Sequence, residues 1–181
     1  MTVTVSDRIL PLLFVSPQQI NAEVISDLPD GDYTLTVHNT GQPDVSATFS
    51  VARNAPGLFF QTVNSQPYVV ALHPDGSAVT QDSPASAGET ISILGTGFGP
   101  YTGQVIDGFF PPVPPPSLTD SVTISTADQS PVPSWSGAAQ GYTGIVSTTF
   151  QVPNGLASGT AVPLTVTVNG AASNTVMLPV Q

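Results

Sequence analysis

The sequence predicts an all-β protein of the sandwich type, divided into two related units. Three observations carry that expectation. Apolar and polar residues alternate along many short segments, the signature of half-buried strands. Turn dipeptides separate those segments. The order of features near the N-terminus also returns near the C-terminus, as in an internal repeat.

The first unit opens with the strand Val3-Thr4-Val5. A proline-containing stretch with an aromatic, Pro11 to Phe14, comes next, and a strand is expected over Ile20 to Ile25. The turn Leu28-Pro29-Asp30-Gly31 leads into the alternating Tyr33-Thr34-Leu35-Thr36-Val37. Val45 to Val51 then alternates, with Val, Ala, Phe and Val on one face. Asn54-Ala55-Pro56-Gly57 suits a bend, because proline and glycine break strands. Residues 1–53 are therefore expected to form one unit, 54–57 a linker, and 58–181 a second sandwich domain.

The second unit carries additional strands over Leu58 to Leu94, ending in Thr90-Ile91-Ser92-Ile93-Leu94. After these the repeat restarts. Val122-Thr123-Ile124 matches Val3-Thr4-Val5, Pro133 to Trp135 matches Pro11 to Phe14, and Thr149 to Val152 matches Ile20 to Ile25. Leu156-Ala157-Ser158-Gly159 takes the place of Leu28-Pro29-Asp30-Gly31. Leu164 to Val168 and Ser173 to Val180 supply the last strands, rich in Val and Thr. Asp75-Gly76, Asp107-Gly108, Asn154-Gly155 and Asn169-Gly170 mark turns between strands.

Composition narrows the function. Of the 181 residues only 8% are charged, against roughly a quarter in an ordinary soluble domain. The two basic residues, Arg8 and Arg53, face twelve acids for a net charge of −10. Nucleic acid and anionic membrane surfaces need clustered Lys and Arg, so neither is an expected partner. Zero cysteine removes disulfides and thiolate metal sites. No apolar run approaches the roughly 20 residues of a membrane span. Met1 to Val5 lacks the basic and long apolar regions of a signal peptide, so either a leader is removed or the chain begins inside a longer protein.

Gly88-Glu89-Thr90-Ile91-Ser92-Ile93-Leu94-Gly95-Thr96-Gly97-Phe98-Gly99 resembles the start of IPT/TIG immunoglobulin-like domains. The rest is similar to an uncharacterised C-terminal domain family that recurs in large Solibacter-type secreted proteins. The matching residues are Leu13 to Asn21, Ala55 to Phe59 and Ser173 to Val176. This resemblance implies tandem immunoglobulin-like sandwich units in a secreted or surface-attached protein. Its motifs are structural, so it speaks to fold far more than to function. An immunoglobulin-like sandwich needs about seven strands. Residues 3–52 supply five, so the first unit is expected to lack its opening strands. Either Leu58 to Thr80 folds back to cover it, or a neighbouring chain adds a strand.

Candidate sites have bland readings beside them. A dinucleotide loop at Gly95 to Gly99 needs a helix behind its glycines, and Pro100-Tyr101-Thr102-Gly103 does not start one, so a structural turn is expected. Asp27, Asp30 and Asp32 are candidate calcium ligands, but calcium takes six to eight oxygens and three carboxylates are a partial set. A solvated hairpin is the plainer reading. His38 and His73 lack metal spacing, and no nucleophile elbow accompanies them. Glu23 and Glu89 are the only glutamates, and alternation places Glu23 facing solvent rather than in a glycosidase pair. Phe109-Phe110-Pro111-Pro112-Val113-Pro114-Pro115-Pro116 is a stiff donor-poor segment. Two readings remain open there: a docking surface built on Phe109, Phe110, Pro112, Pro114 and Pro115, or a crossover loop with both phenylalanines plugging the core. The crossover is the expectation. Trp135, Tyr142, Tyr101 and Tyr68 could form a sugar-stacking platform, although Trp135 is expected in the core, like its counterpart Leu12-Leu13-Phe14.

The function expected is a non-catalytic extracellular structural, adhesion or protein-interaction module without a cofactor, self-associating through strand edges. The alternative is a carbohydrate-binding accessory module of a secreted enzyme.

Overall fold

The structure, a computed structural model, describes residues 1–156 and 159–181. Ala157 and Ser158, part of the Leu156-Ala157-Ser158-Gly159 turn, lie outside the described residues. The described residues form strands and no helix. In chain order the strands are β1 (Thr2–Val5), β2 (Arg8–Ile9), β3 (Leu12–Val15), β4 (Ile20–Ala22), β5 (Gly31–His38) and β6 (Val45–Val51). Then come β7 (Gly57–Leu58), β8 (Phe60–Val63), β9 (Gln66–Val69), β10 (Ala71–Leu72) and β11 (Thr90–Thr96). The last are β12 (Val122–Thr126), β13 (Pro133–Ala138), β14 (Val146–Gln151), β15 (Thr160–Val168), β16 (Ala171–Ala172) and β17 (Val176–Val180).

The N-terminal strands make a four-stranded sheet in the order β2-β1-β5-β6 and a separate β3-β4 hairpin. Alternation sets the faces. Val3 lies opposite Val37, which lies opposite Val45, and Val5, Leu35 and Ala47 form the next row. Val3, Val5, Leu10 and Ile25 form a small core of their own, with Tyr33, Leu35, Val37 and Phe49 packed against it. Tyr33 and Phe49 add a tilted ring pair with centroids 6.2 Å apart.

The C-terminal strands make two larger sheets, β10-β11-β14-β13 with β7 on β11, and β12-β15-β17-β9-β8 with β16 on β15. Their inner faces meet in a second core. Phe98, Ile91, Ile93 and Phe150 come from the first sheet and the turn after it, and Ile124, Leu164, Val166, Val176 and Leu178 from the second. Among the described residues the pairings are antiparallel except for β17 beside β9 and the isolated bridge Ala85–Val180.

Both halves reuse one pairing scheme. β1-β5-β6 recurs as β12-β15-β17, and the β3-β4 hairpin recurs as β13-β14. The Leu58 to Thr80 segment does not cover the first unit, contrary to one expectation. β7 and β10 join the β11 sheet, and β8 and β9 join the β17 sheet. The inner face of the four-stranded sheet is closed instead by the chain between β2 and β5.

The linker is held along its length. Ala55 N–H donates to Gly97 O at 2.8 Å, Asn54 Nδ2 donates to Phe98 O at 2.9 Å, and Arg53 Nη2 pairs with Asp120 at 2.9 Å. This contact explains the Gly-x-Gly-Phe-Gly turn. A Cβ on Gly97, whose φ is +74°, would stand 2.2 Å from Ala55 O. A Cβ on Gly95 would stand 2.7 Å from Gly57 O, and one on Gly99 2.4 Å from Asn54 Nδ2. The glycines are a cradle that lets the linker backbone lie against the second unit, the close approach for which glycine is suited.

Candidate functional site

Phe109 and Phe110 do not plug the core. They stand 66% and 69% exposed, Val113 is 81% exposed, and Pro112 and Pro114 are exposed beside them. Phe98 and Phe150 fill the core instead, and only Pro111 of the segment is buried. The reason lies just upstream. Asp107 Oδ2 accepts from Ser26 N–H at 3.0 Å, and Gly108 N–H donates to Glu23 Oε2 at 2.5 Å. Gly108 also sits against Pro11, where a Cβ would come within 3.0 Å of the ring. The loop root is thus clasped to the first unit, and the two phenylalanines that follow are carried outward.

Glu23 is correspondingly not solvent-facing. It is half-buried between the units, and burial pushes its carboxyl above the usual range against the pull of the Gly108 N–H. Tyr101, also on this side, is pushed up to about 12, by burial first and the Glu23 charge second.

Trp135 is likewise not a core residue. It is half-buried and lines a groove of about 440 Å³ on the outer face of the β10-β11-β14-β13 sheet. Cross-strand register builds the floor: Leu72 lies opposite Ser92, Ser92 opposite Thr149, and Thr149 opposite Trp135. Ser92 Oγ and Thr149 Oγ1 are 2.8 Å apart. Tyr142, Pro115 and Leu94 also border the groove, so Trp135 and Tyr142 of the four aromatics come together. Tyr101 packs against the second core, and Tyr68, on β9, accepts from Gln81 Nε2. The parallel with Leu12-Leu13-Phe14 misled about Trp135 because β3 itself turns outward, with Leu13 and Phe14 half exposed. Alternation along Thr90 to Leu94 and Ile145 to Val152 does place Ser92, Ser147 and Thr149 on outer faces; the sequence gives no sign that two such strands lie side by side.

His73 stands at one end of the groove and joins residues distant in sequence. Its Nδ1 is 2.6 Å from Glu89 Oε1, and its Nε2 lies 3.1 Å from Ser83 O and 3.4 Å from Ser83 Oγ. The composition of a serine–histidine–acid relay is present, but the roles differ. The Glu89 hydrogen bond raises His73 above its ordinary value, favouring an imidazolium. Burial works to raise Glu89, but the Ser86 N–H and His73 outweigh it and hold the carboxyl below its ordinary value. An imidazolium donating to Glu89 and to the Ser83 carbonyl has no lone pair for a serine proton, as a general base requires. The arrangement ties the 73–89 loop together. His38 instead ends β5 against Thr4 and Asp44.

Two of the three carboxylates expected as calcium candidates are engaged by other side chains. Asp27 pairs with Arg8 at 2.7 Å, and that guanidinium holds its carboxyl below the ordinary range. Asp32 accepts from Ser50 at 2.5 Å. Among the described residues no group of three His, Cys, Asp or Glu side chains is arranged to hold a metal ion. No family model, curated protein or solved structure matches this chain.

Proposed function

We propose that the chain is a non-catalytic extracellular interaction module, built as tandem immunoglobulin-like units of the IPT/TIG kind. Its role is to space its neighbours and present a contact surface at the junction of the two units. One observation carries this reading. The linker lies in the glycine cradle and the Asp107–Gly108 root is clasped to Glu23 and Ser26, so Phe109 and Phe110 leave a joint fixed from both sides. Two adjacent phenylalanines held in water by a stiff proline segment favour an apolar protein partner. The extracellular setting is supported by the resemblance to secreted proteins.

Small-angle X-ray scattering of the purified chain tests the reading. A single compact two-unit particle, with a maximum dimension unchanged between low and high salt, is expected. A profile that requires a broad ensemble of inter-unit arrangements contradicts it.

The groove favours a second reading, a glycan-binding accessory module. An indole can stack on the apolar face of a pyranose ring while floor hydroxyls bond its substituents. Affinity electrophoresis against soluble polysaccharides tests this. Retardation abolished by Trp135→Ala supports it, and equal mobility of both proteins in every polysaccharide rejects it.

A further inference from the structure

We propose that two copies of this chain pair edge to edge through β6, as an antiparallel two-fold dimer with Thr48 on the axis. This deepens the reading of the chain as an interaction module by naming one partner, a second copy of itself.

β6 is the edge of its sheet and pairs only with β5 among the described residues. Residues 45–48 and 50 are exposed, Val45 at 67%. Exposed edges are normally blunted by charges, proline or a bulge. Val45-Ser46-Ala47-Thr48-Phe49-Ser50-Val51 contains no charged residue and no proline, and its pairing with β5 runs without a register shift.

The strand also reads nearly the same in both directions. Antiparallel pairing about Thr48 sets Val45 opposite the second copy's Val51, Ser46 opposite Ser50, small Ala47 opposite large Phe49, and Thr48 opposite itself. Every residue of the strand finds a partner of matching character. Val45, Ala47, Phe49 and Val51 share the inner face, in register with Val37, Leu35, Tyr33 and Gly31 of β5. The pairing therefore continues the apolar face of one sheet into the other and sets hydroxyl opposite hydroxyl outside, the matched cross-strand pairs that stabilise sheets. A slip of one residue would put an apolar residue opposite a hydroxyl at every position and mix the two faces. A slip of two shortens the ladder and loses the Val–Val pairs.

Absence of native cysteine makes the test direct. Residues facing each other on the axis have Cα atoms about 4.5–5.5 Å apart, within disulfide range. Thr48→Cys should cross-link to a covalent dimer under mild oxidation. Ser46→Cys alone should not, because its copies would lie four residues apart along the strands, roughly 14 Å. An equimolar mixture of Ser46→Cys and Ser50→Cys should cross-link again. Sedimentation velocity supplies the second measurement. Ala47→Lys puts a charge on the exposed edge and should shift the dimer to monomer without changing the circular dichroism spectrum. Cross-linking of Thr48→Cys no faster than Ser46→Cys alone, or a mass that Ala47→Lys leaves unchanged, overturns the proposal. The scattering test of the inter-unit joint is run on the Ala47→Lys chain at dilution, where dimers do not contribute, so the two readings fail separately.

Discussion

Gly97→Ala probes the joint between the units more sharply than any other single change. The residue sits at φ +74°, where a side chain strains the backbone by roughly 1–2 kcal/mol. The added methyl would stand 2.2 Å from Ala55 O, which is backbone and cannot rotate away. The linker must move by about 1 Å to restore van der Waals contact near 3.5 Å. That shift weakens the Ala55 N–H bond to Gly97 O and the Asn54 bond to Phe98 O, each worth about 0.5–1.5 kcal/mol net. The sum is about 2–5 kcal/mol. At this chain length about 2–4 °C is lost per kcal/mol, so the melting temperature should fall by roughly 4–20 °C. Gly41→Ala is the control. Gly41 has a similar φ of +79° but nothing within 4 Å of a new Cβ, so only the backbone strain should appear. Thermal melts followed by circular dichroism read both. If Gly97→Ala melts within 1 °C of Gly41→Ala, the cradle does not hold the linker.

Further outcomes follow from the same contacts. Phe150→Ala empties the centre of the larger core, where the ring is fully buried, and should cost about 3–5 kcal/mol in urea unfolding. The His73–Glu89 bond makes stability depend on pH in a defined way. His73 is raised above its ordinary 6.5, so its contribution is complete below that pH and fades as pH rises through the raised value. Glu89 is held below its ordinary 4.5, so its contribution is complete above that pH and fades in acid. The stability difference between wild type and His73→Gln should therefore be largest between 4.5 and 6.5 and shrink on either side; a flat difference would show the bond is not ionic. Asp120 is pulled down to about 2 by Arg53 and then Asn54, so its hold on the linker should persist to about pH 4 and fail only below, read as loosening of the inter-unit distance. EDTA should leave the melting temperature unchanged, because Asp27 and Asp32 are engaged by Arg8 and Ser50; a clear fall would show a native-state metal.

Strands were legible wherever one face is buried and one is wet. Tyr33 to Val37, Val45 to Val51 and Val162 to Val168 alternate cleanly and lie within β5, β6 and β15. The short strands β7 to β10 were read only as a strand-bearing stretch, since two to four residues carry no period. Trp135, Phe109 and Glu23 were misplaced for one shared physical reason. Each answers to a partner far away in sequence: the neighbouring strands of the groove for Trp135, the first unit for the loop root, and Gly108 for Glu23. Alternation reports which face of a strand a residue occupies and is silent on what covers that face. The His73–Ser83–Glu89 cluster escaped notice likewise, because its spacing matches no motif and the turn over 80–83 brings it together.

The central claim is that the two units are held as one body that carries Phe109 and Phe110 outward from their junction. Pulsed electron–electron resonance tests it most directly, with spin labels on Gln42→Cys in the first unit and Asp128→Cys in the second. Both sites are exposed, and no native cysteine competes for label. The measurement is made at dilution, with the Ala47→Lys change present so that only distances within one chain contribute. The clamped joint predicts one narrow distance distribution, broadened when Gly97→Ala is added. A broad or bimodal distribution before Gly97→Ala is added would contradict it.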